Sequence, residues 1–304
     1  MKEKMPRVWW VQCKPFGKSE RNSDAAKKFQ NDCLEHNFFG MGWKSYKFDE
    51  YSGKEYNEDI ASKYKNELHN RTFTRALNLY GEMKQGDIVF TRLNEIYYLG
   101  IISFIPRISN HERLSWYSEV KQGWIKLGTG KEIPHHIRGK ISGKKYQGTV
   151  AEIDGLSALT LIDLAGIKCA KRKINENNFY EAISDEDLED LMAHYMSYKN
   201  SKYIFLPSSC KKNTPGIEYV MYDPITEKSI VCQTKVKQRI DIGEYLGDNY
   251  RKYETIYLFS GAGYDNYNPN ELNNVYIVER KELYDIMKNN KHFSNIVSQH
   301  FSFV

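Results

Sequence analysis

Three polar residues on two neighbouring strand-like segments supply the first chemistry in this sequence. In the stretch PGIEYVMYDPITEKSIVCQTKVK, Glu218 offers a carboxylate, Gln233 an amide and Lys235 an ammonium. Asp223-Pro224 opens a polar turn between two apolar runs. An antiparallel hairpin centred between Ile225 and Thr226 would set position 218 opposite position 233, and opposed side chains share a sheet face. Lys235, two residues further on, returns to that face. The flanking residues Val220, Ile230, Val231 and Cys232 are apolar, so polar groups among them need partners. A divalent cation and a phosphate would serve. A carboxylate with a neutral amide oxygen suits a hard cation, and an ammonium can orient an attacking water or neutralise phosphate charge. A plain Glu218–Lys235 ion pair on a solvated sheet face accounts for the spacing equally well.

The elements that must hold these groups follow from the surrounding pattern. Ser184 begins S-D-E-D, a capping-box start with Asp187 at the third helical position. Leu188, Leu191, Met192 and Tyr195 then recur at helical spacing. Strand-like runs come at 202–207, 216–222, 229–236, 255–260 and 275–278, with a short helix near 242–248 and a last helix over 280–289. This order predicts an α+β domain around a central mixed sheet.

Gly216-Ile217-Glu218 followed by Gln233-Thr234-Lys235 resembles the PD-(D/E)xK nucleases, in particular the Mrr-like restriction endonucleases. In that branch a Gly-hydrophobic-acid motif precedes a strand ending in Q-x-K. Leu188-Glu189-Asp190-Leu191 is similar to the helical motif that stands before the first strand of the branch. The resemblance covers about residues 182–290. It implies a restriction-endonuclease-like α/β domain over 182–304 that cleaves DNA phosphodiester bonds with Mg2+. It further implies Glu218 and Gln233 as metal ligands, Lys235 as catalytic and Glu189 as a supporting acid. Two departures stand out: the usual first Asp is Glu, and Gln replaces the second carboxylate.

The first half reads as mixed α and β. A strand-like run lies at 7–13, a helix follows from a Ser23 cap with Ala26, Phe29, Cys33 and Leu34 on one face, and another helix runs over about 72–83. After Gly86-Asp87, the runs 88–92 and 96–103 predict a hairpin. Short strands are expected around 115–117, 124–127 and 148–153, which together suggest a small, partly closed β-barrel. Residues 154–181 read as a linker whose apolar patch docks on one domain.

Val8-Trp9-Trp10-Val11, Gly40-Met41-Gly42-Trp43 and Gly86-Asp87-Ile88-Val89-Phe90 running into Tyr98-Leu99-Gly100-Ile101-Ile102 resemble a PUA-like, EVE-type domain. Arg138-Gly139-Lys140 and Gly148-Thr149-Val150 are similar to its closing strands. The resemblance, over about residues 5–153 of a first domain 1–153, implies a reader that holds a flipped modified base in an aromatic pocket. Stacking and apolar contact with a methyl group would offset the few kcal/mol of extruding the base. Trp9, Trp10, Trp43, Trp116 and Trp124 are the pocket candidates, with Trp43 first and Trp9 second, although a strand Trp is as readily a core residue. Arg92 and Asn94, at the hairpin connection, could touch the base or its phosphates.

Bulk properties narrow the function. The cysteines Cys13, Cys33, Cys169, Cys210 and Cys232 form no CxxC pair, and no His/Cys cluster has zinc spacing, which argues against a zinc finger or zinc nuclease. The net charge of +5 is compatible with phosphate binding without requiring it. No apolar run approaches a membrane span and the start lacks a signal peptide, so a soluble cytoplasmic protein is expected. The expected partner is DNA carrying a modified base, with a homodimer for cutting both strands. The combined expectation is a modification-dependent restriction enzyme, as in phage defence. The alternatives are a non-catalytic reader of modified nucleic acid and an RNA-directed nuclease.

Overall fold

Runs of β-branched and aromatic residues make the strands of this chain, and capped amphipathic segments make its helices. The computed structural model describes residues 5–13, 23–42, 54, 58–68, 71–109, 114–143, 146, 148–209 and 216–304. The chain divides into two units, Met1–Cys169 and Ala170–Val304.

The first unit contains, in order, β1 (Val8–Val11), α1 (Asp24–Glu35), β2 (Phe38–Met41), α2 (Glu58–Leu68), α3 (Arg71–Glu82), β3 (Ile88–Leu93), β4 (Ile96–Ile102), β5 (Arg107–Ile108), β6 (Trp116–Gly128), α4 (His135–Ser142), β7 (Val150–Ile153) and α5 (Gly155–Leu164). Its sheet runs β2-β6-β4-β3-β1-β7, with β5 on β6, and curls into a half-barrel. Among the described strands of this sheet, β1 and β3 alone are parallel neighbours and the other pairs are antiparallel. Ser23 starts α1 as expected, its hydroxyl accepting from Ala26 N at 3.2 Å. The β3–β4 hairpin turns on Asn94 and Glu95, both at positive φ (46° and 67°), the twist a two-residue turn requires.

Both faces of β1 are buried, which is why its residues are apolar without alternation. One face joins Trp9 and Val11 to Phe29, Cys33, Phe39, Leu77, Tyr80 and Trp116. The other joins Val8 and Trp10 to Phe90, Tyr97, Leu99, Ile137, Leu161 and Ile162.

Two expectations change here. The segments expected at 115–117 and 124–127 are one strand, β6, whose pairing with β4 shifts register between Leu99 and Ile101 and which bends at Gln122 and Gly123, both at positive φ. Arg138-Gly139-Lys140 lies in helix α4 rather than in a closing strand. Within the stretch 154–181, α5 packs its apolar residues into the core of the first unit, and Phe179 and Tyr180 are buried in the second.

The second unit contains β8 (Arg172–Ile174), α6 (Asp185–Lys199), β9 (Ile204–Leu206), β10 (Tyr219–Asp223), β11 (Lys228–Lys235), β12 (Ile240–Asp241), β13 (Thr255–Ser260), β14 (Tyr264–Asp265), β15 (Val275–Ile277), α7 (Arg280–Asn289), α8 (Lys291–His300) and β16 (Phe301–Phe303). A five-stranded sheet runs β15-β13-β11-β10-β9. Strands β9, β10 and β11 are antiparallel, whereas β11, β13 and β15 are parallel, so the sheet is mixed. The capping box of α6 forms: Ser184 Oγ accepts from Asp187 N at 3.2 Å and Asp187 Oδ2 accepts from Ser184 N at 2.8 Å. After α7 the chain continues into α8 and then β16, which pairs in parallel with β8. Among the described residues of both units, no helix is long and apolar enough to cross a membrane.

Candidate active site

The β10–β11 hairpin places the site. Asp223 Oδ1 accepts from Ile225 N at 2.8 Å, closing the polar turn, and the pairs run from Asp223↔Lys228 to Tyr219↔Cys232. Beyond that ladder Glu218 N donates to the Cys232 carbonyl at 2.9 Å rather than continuing the register to Gln233. Just before it, Gly216 holds φ at +71°, and a Cβ there would stand 2.5 Å from Tyr250 Oη. Only glycine fits both conditions at low cost. Ile217 then anchors the segment in the core with Val231, Tyr245 and Ile256.

Two donors converge on one carboxylate oxygen. Gln233 Nε2 donates to Glu218 Oε1 at 2.9 Å, and Lys235 Nζ donates to the same atom at 3.1 Å. Gln233 is buried, while the Lys235 and Glu218 side chains keep 33% and 21% of their surface exposed, so a large solute could reach them. Strand β13 supports the far end: Lys235 pairs with Ser260, and Gly261 N donates to the Lys235 carbonyl at 2.9 Å. A Cβ on Gly261 would stand 2.4 Å from the Val236 carbonyl oxygen, so the chain passes too close there for any larger residue.

Helix α6 brings the fourth group. Tyr219 Oη donates to the Glu189 carbonyl at 3.4 Å, and Val236 N donates to Asp185 Oδ1 at 2.9 Å, tying the helix to both strands of the hairpin. Burial, and after it the negative charge of Glu218, pushes the Glu189 carboxyl up to about 8, while Lys235 pulls it the other way. Glu189 thus belongs electrostatically to the Glu218–Lys235 group. Asp185, Tyr219 and Gly261 were not singled out from sequence. Asp185 had one visible signal, its place in the first turn of a capped helix; the other two owe their roles to pairing between distant segments.

The donor chemistry fits a hard divalent cation. Glu218 offers a carboxylate, Gln233 an amide oxygen once its amide turns from the orientation facing Glu218, and Glu189 a carboxyl in a field that a cation would reverse. Among the described residues no group of three or more His, Cys, Asp or Glu side chains is gathered for a metal. The protein's share of such a shell would be these few oxygens, with water and phosphate completing it.

The tryptophans sort differently from expectation. Trp9 and Trp116 are wholly buried, and the Trp9 indole N–H donates to Asp87 Oδ2 at 2.9 Å beneath Arg7, so both are core residues and neither walls a pocket. Strand β1 lies inside a sheet covered on both faces, which leaves Trp9 no opening. Trp124 is half-buried, with its indole N–H held by the Cys33 carbonyl at 2.9 Å. Trp43 lies outside the described residues. Trp10 and Arg92 do meet, on the wall of a cavity of about 340 Å³. Asn94 bonds to Asn31 and Gln30 at the hairpin tip.

Set against family models, curated proteins and solved structures, the chain matches none of them. Fold and site together define an α+β protein of two units, one a half-barrel and the other a mixed sheet bearing an acid–amide–amine group.

Proposed function

We propose that this protein is a modification-dependent DNA endonuclease whose first unit reads a modified base and whose second unit hydrolyses phosphodiester bonds with Mg2+. The observation that carries the cutting half is the meeting of Gln233 and Lys235 on one oxygen of Glu218, within the field of a carboxyl held near 8. A mixed sheet preceded by a capped helix supports a restriction-endonuclease-like reading of the second unit, and the half-barrel supports a PUA-like, EVE-type reading of the first.

In this reading Glu218 and Gln233 would hold the cation. Magnesium would supply Lewis-acid polarisation of the phosphate and an acidified water. The Lys235 ammonium would orient an attacking water or neutralise charge on the phosphate, and it is partly exposed, as contact with a polymer requires. Glu189, which burial raises to about 8, would act as a supporting acid, and a bound cation would favour its charged form. One such site cuts one strand per event, so a homodimer is proposed for double-strand cleavage, and a cytoplasmic location suits DNA as substrate.

The test is a set of matched plasmids, modified and unmodified, incubated with Mg2+ and then with a chelator. Cutting of modified DNA alone, abolished by the chelator, is expected. Equal cutting of both plasmids removes the reader half, and no cutting of either removes the enzyme. A second reading, a non-catalytic binder of modified nucleic acid, draws on the fact that Glu218 is already engaged by Lys235 and Gln233. If the protein's cellular effect survives Lys235→Ala, that reading holds. Competition between RNA and DNA substrates separates an RNA-directed nuclease from both.

A further inference from the structure

Two phenol hydroxyls meet the backbone beside Glu218, outside the group of acid, amide and amine. A Cβ on Gly216 would stand 2.5 Å from Tyr250 Oη and 3.4 Å from Tyr245 Oη, so both hydroxyls lie against the chain two residues before Glu218. Their rings pack with centroids 4.9 Å apart, and Tyr250 in turn lies 6.3 Å from Tyr253. Tyr245 is buried and feels the negative charge of Glu218. Tyr250 and Tyr253 are half-buried, packed against the core of the second unit.

The turn that carries Tyr250 is fixed in advance. Asn274 Nδ2 donates to the Tyr250 carbonyl at 3.3 Å and to the Tyr253 carbonyl at 2.8 Å. Tyr250 N donates to the Gly247 carbonyl at 3.0 Å. Binding there would cost little ordering of the chain. Burial, and after it the negative charge of Glu244, pushes the Tyr250 hydroxyl up, so at neutral pH it keeps a proton to donate. Two cations follow it in sequence. Arg251 is engaged by Asp248 at 3.0 Å. Lys252 is exposed, its ammonium 5.1 Å from the centre of the Tyr253 ring on a stem long enough to swing to an anion.

We infer that the turn 248–253 grips the sugar–phosphate backbone of the substrate beside Glu218, with Tyr250 Oη–H donating to a phosphate oxygen and Lys252 meeting a phosphate further along. Hydroxyls and lysines are common partners of backbone phosphates, and they fix a strand's position without reading its sequence. Glu244 and Asp248 repel phosphate here, so the grip depends on Tyr250 and Lys252 rather than on bulk charge. The inference rests on the cutting half of the proposed function for the identity of the polymer. RNA presents the same phosphates, so both nucleic acids enter the test.

Full-length protein in a chelator, which should bind without cutting, is titrated with labelled DNA and RNA duplexes by fluorescence anisotropy at several salt concentrations. Tyr250→Phe, Lys252→Ala and Lys252→Arg are compared with Lys202→Ala, which removes an exposed lysine of the same unit, and each is checked by thermal melting. Weakening of about tenfold is expected in Tyr250→Phe and in Lys252→Ala. Lys252→Ala should also lower the slope of log affinity against log salt by about 0.9, the share of one phosphate contact, and Lys252→Arg should restore it. Nicking in Mg2+ should show a raised KM and an unchanged kcat for Tyr250→Phe. Full affinity in Tyr250→Phe overturns the grip, as does a Lys202→Ala loss equal to that of Lys252→Ala. A fall in kcat at constant KM overturns it too. Binding that weakens as expected, without any cutting in Mg2+, keeps the grip and removes the cutting half. Tighter binding of RNA keeps the grip and changes the polymer. Binding of neither duplex overturns the inference.

Discussion

Glu218 Oε1 accepts from Gln233 and Lys235 together, and this sharing decides what each substitution does. Lys235→Ala removes the cation but leaves Gln233 on the carboxylate. The pair is partly exposed, and such pairs contribute about 0–1 kcal/mol, so the melting temperature should barely move. Cleavage should nonetheless fall about 100-fold or more, the usual loss when a preorganised stabilising donor is removed. Nicking assays beside melting curves check both halves. Glu189 makes a separate prediction. Its folded value of about 8 lies above the 4.5 of an ordinary Glu, so the folded chain holds the extra proton between those values. Its contribution is therefore fully present below about pH 4.5 and is lost as the pH rises through 8. Glu189→Gln cannot lose that proton, so without divalent ions the variant should gain in melting temperature relative to the parent from pH 5 to pH 8.5. A constant difference across that range would rule out the shifted carboxyl.

At the element scale, the approach to β10 and the start of α6 matter most. Gly216→Ala puts a Cβ 2.5 Å from Tyr250 Oη at a φ of +71°, and such strain costs on the order of 1–3 kcal/mol. Because Gly216 leads directly into Glu218, cleavage should drop by more than stability does. Adding Tyr250→Phe should recover only the steric part, as urea unfolding of the single and double variants will show. Ser184→Ala removes a cap whose hydroxyl also bonds Asp187 at 2.8 Å, and it should destabilise the second unit by about 1 kcal/mol. Residues 216–222 read as one strand-like run, so the turn at Gly216 was missed, but the cap was legible in the sequence because it is a local hydrogen-bond arrangement. Helices α5 and α8 were not, since an apolar run and a polar run of that length fit a docked connection as well as a helix.

On the scale of the whole molecule, the division between Cys169 and Ala170 separates the proposed reading from the proposed cutting. All four cutting candidates, Glu189, Glu218, Gln233 and Lys235, lie in the second unit. A fragment of residues 170–304 is therefore expected to nick DNA in Mg2+ without preferring modified substrate, whereas the full chain shows the preference. Comparing the two on matched plasmids checks this, and a fragment that still discriminates would place the reader elsewhere. At this scale, too, nothing local tells a run such as 172–174 that its partner is Phe301–Phe303 near the other end of the unit.

The amino-acid sequence alone determined the β10–β11 register, the α6 cap and the β3–β4 turn, because alternation with period two, polar turn residues and capping hydrogen bonds act over a few neighbouring positions. Tertiary structure decided which tryptophans are core and which wall a cavity. Trp9 and Trp10 are adjacent and alike in type, yet one is sealed against Asp87 and the other borders open space beside Arg92. Adjacent strand residues face opposite layers, and only the packing of distant helices settles which layer closes.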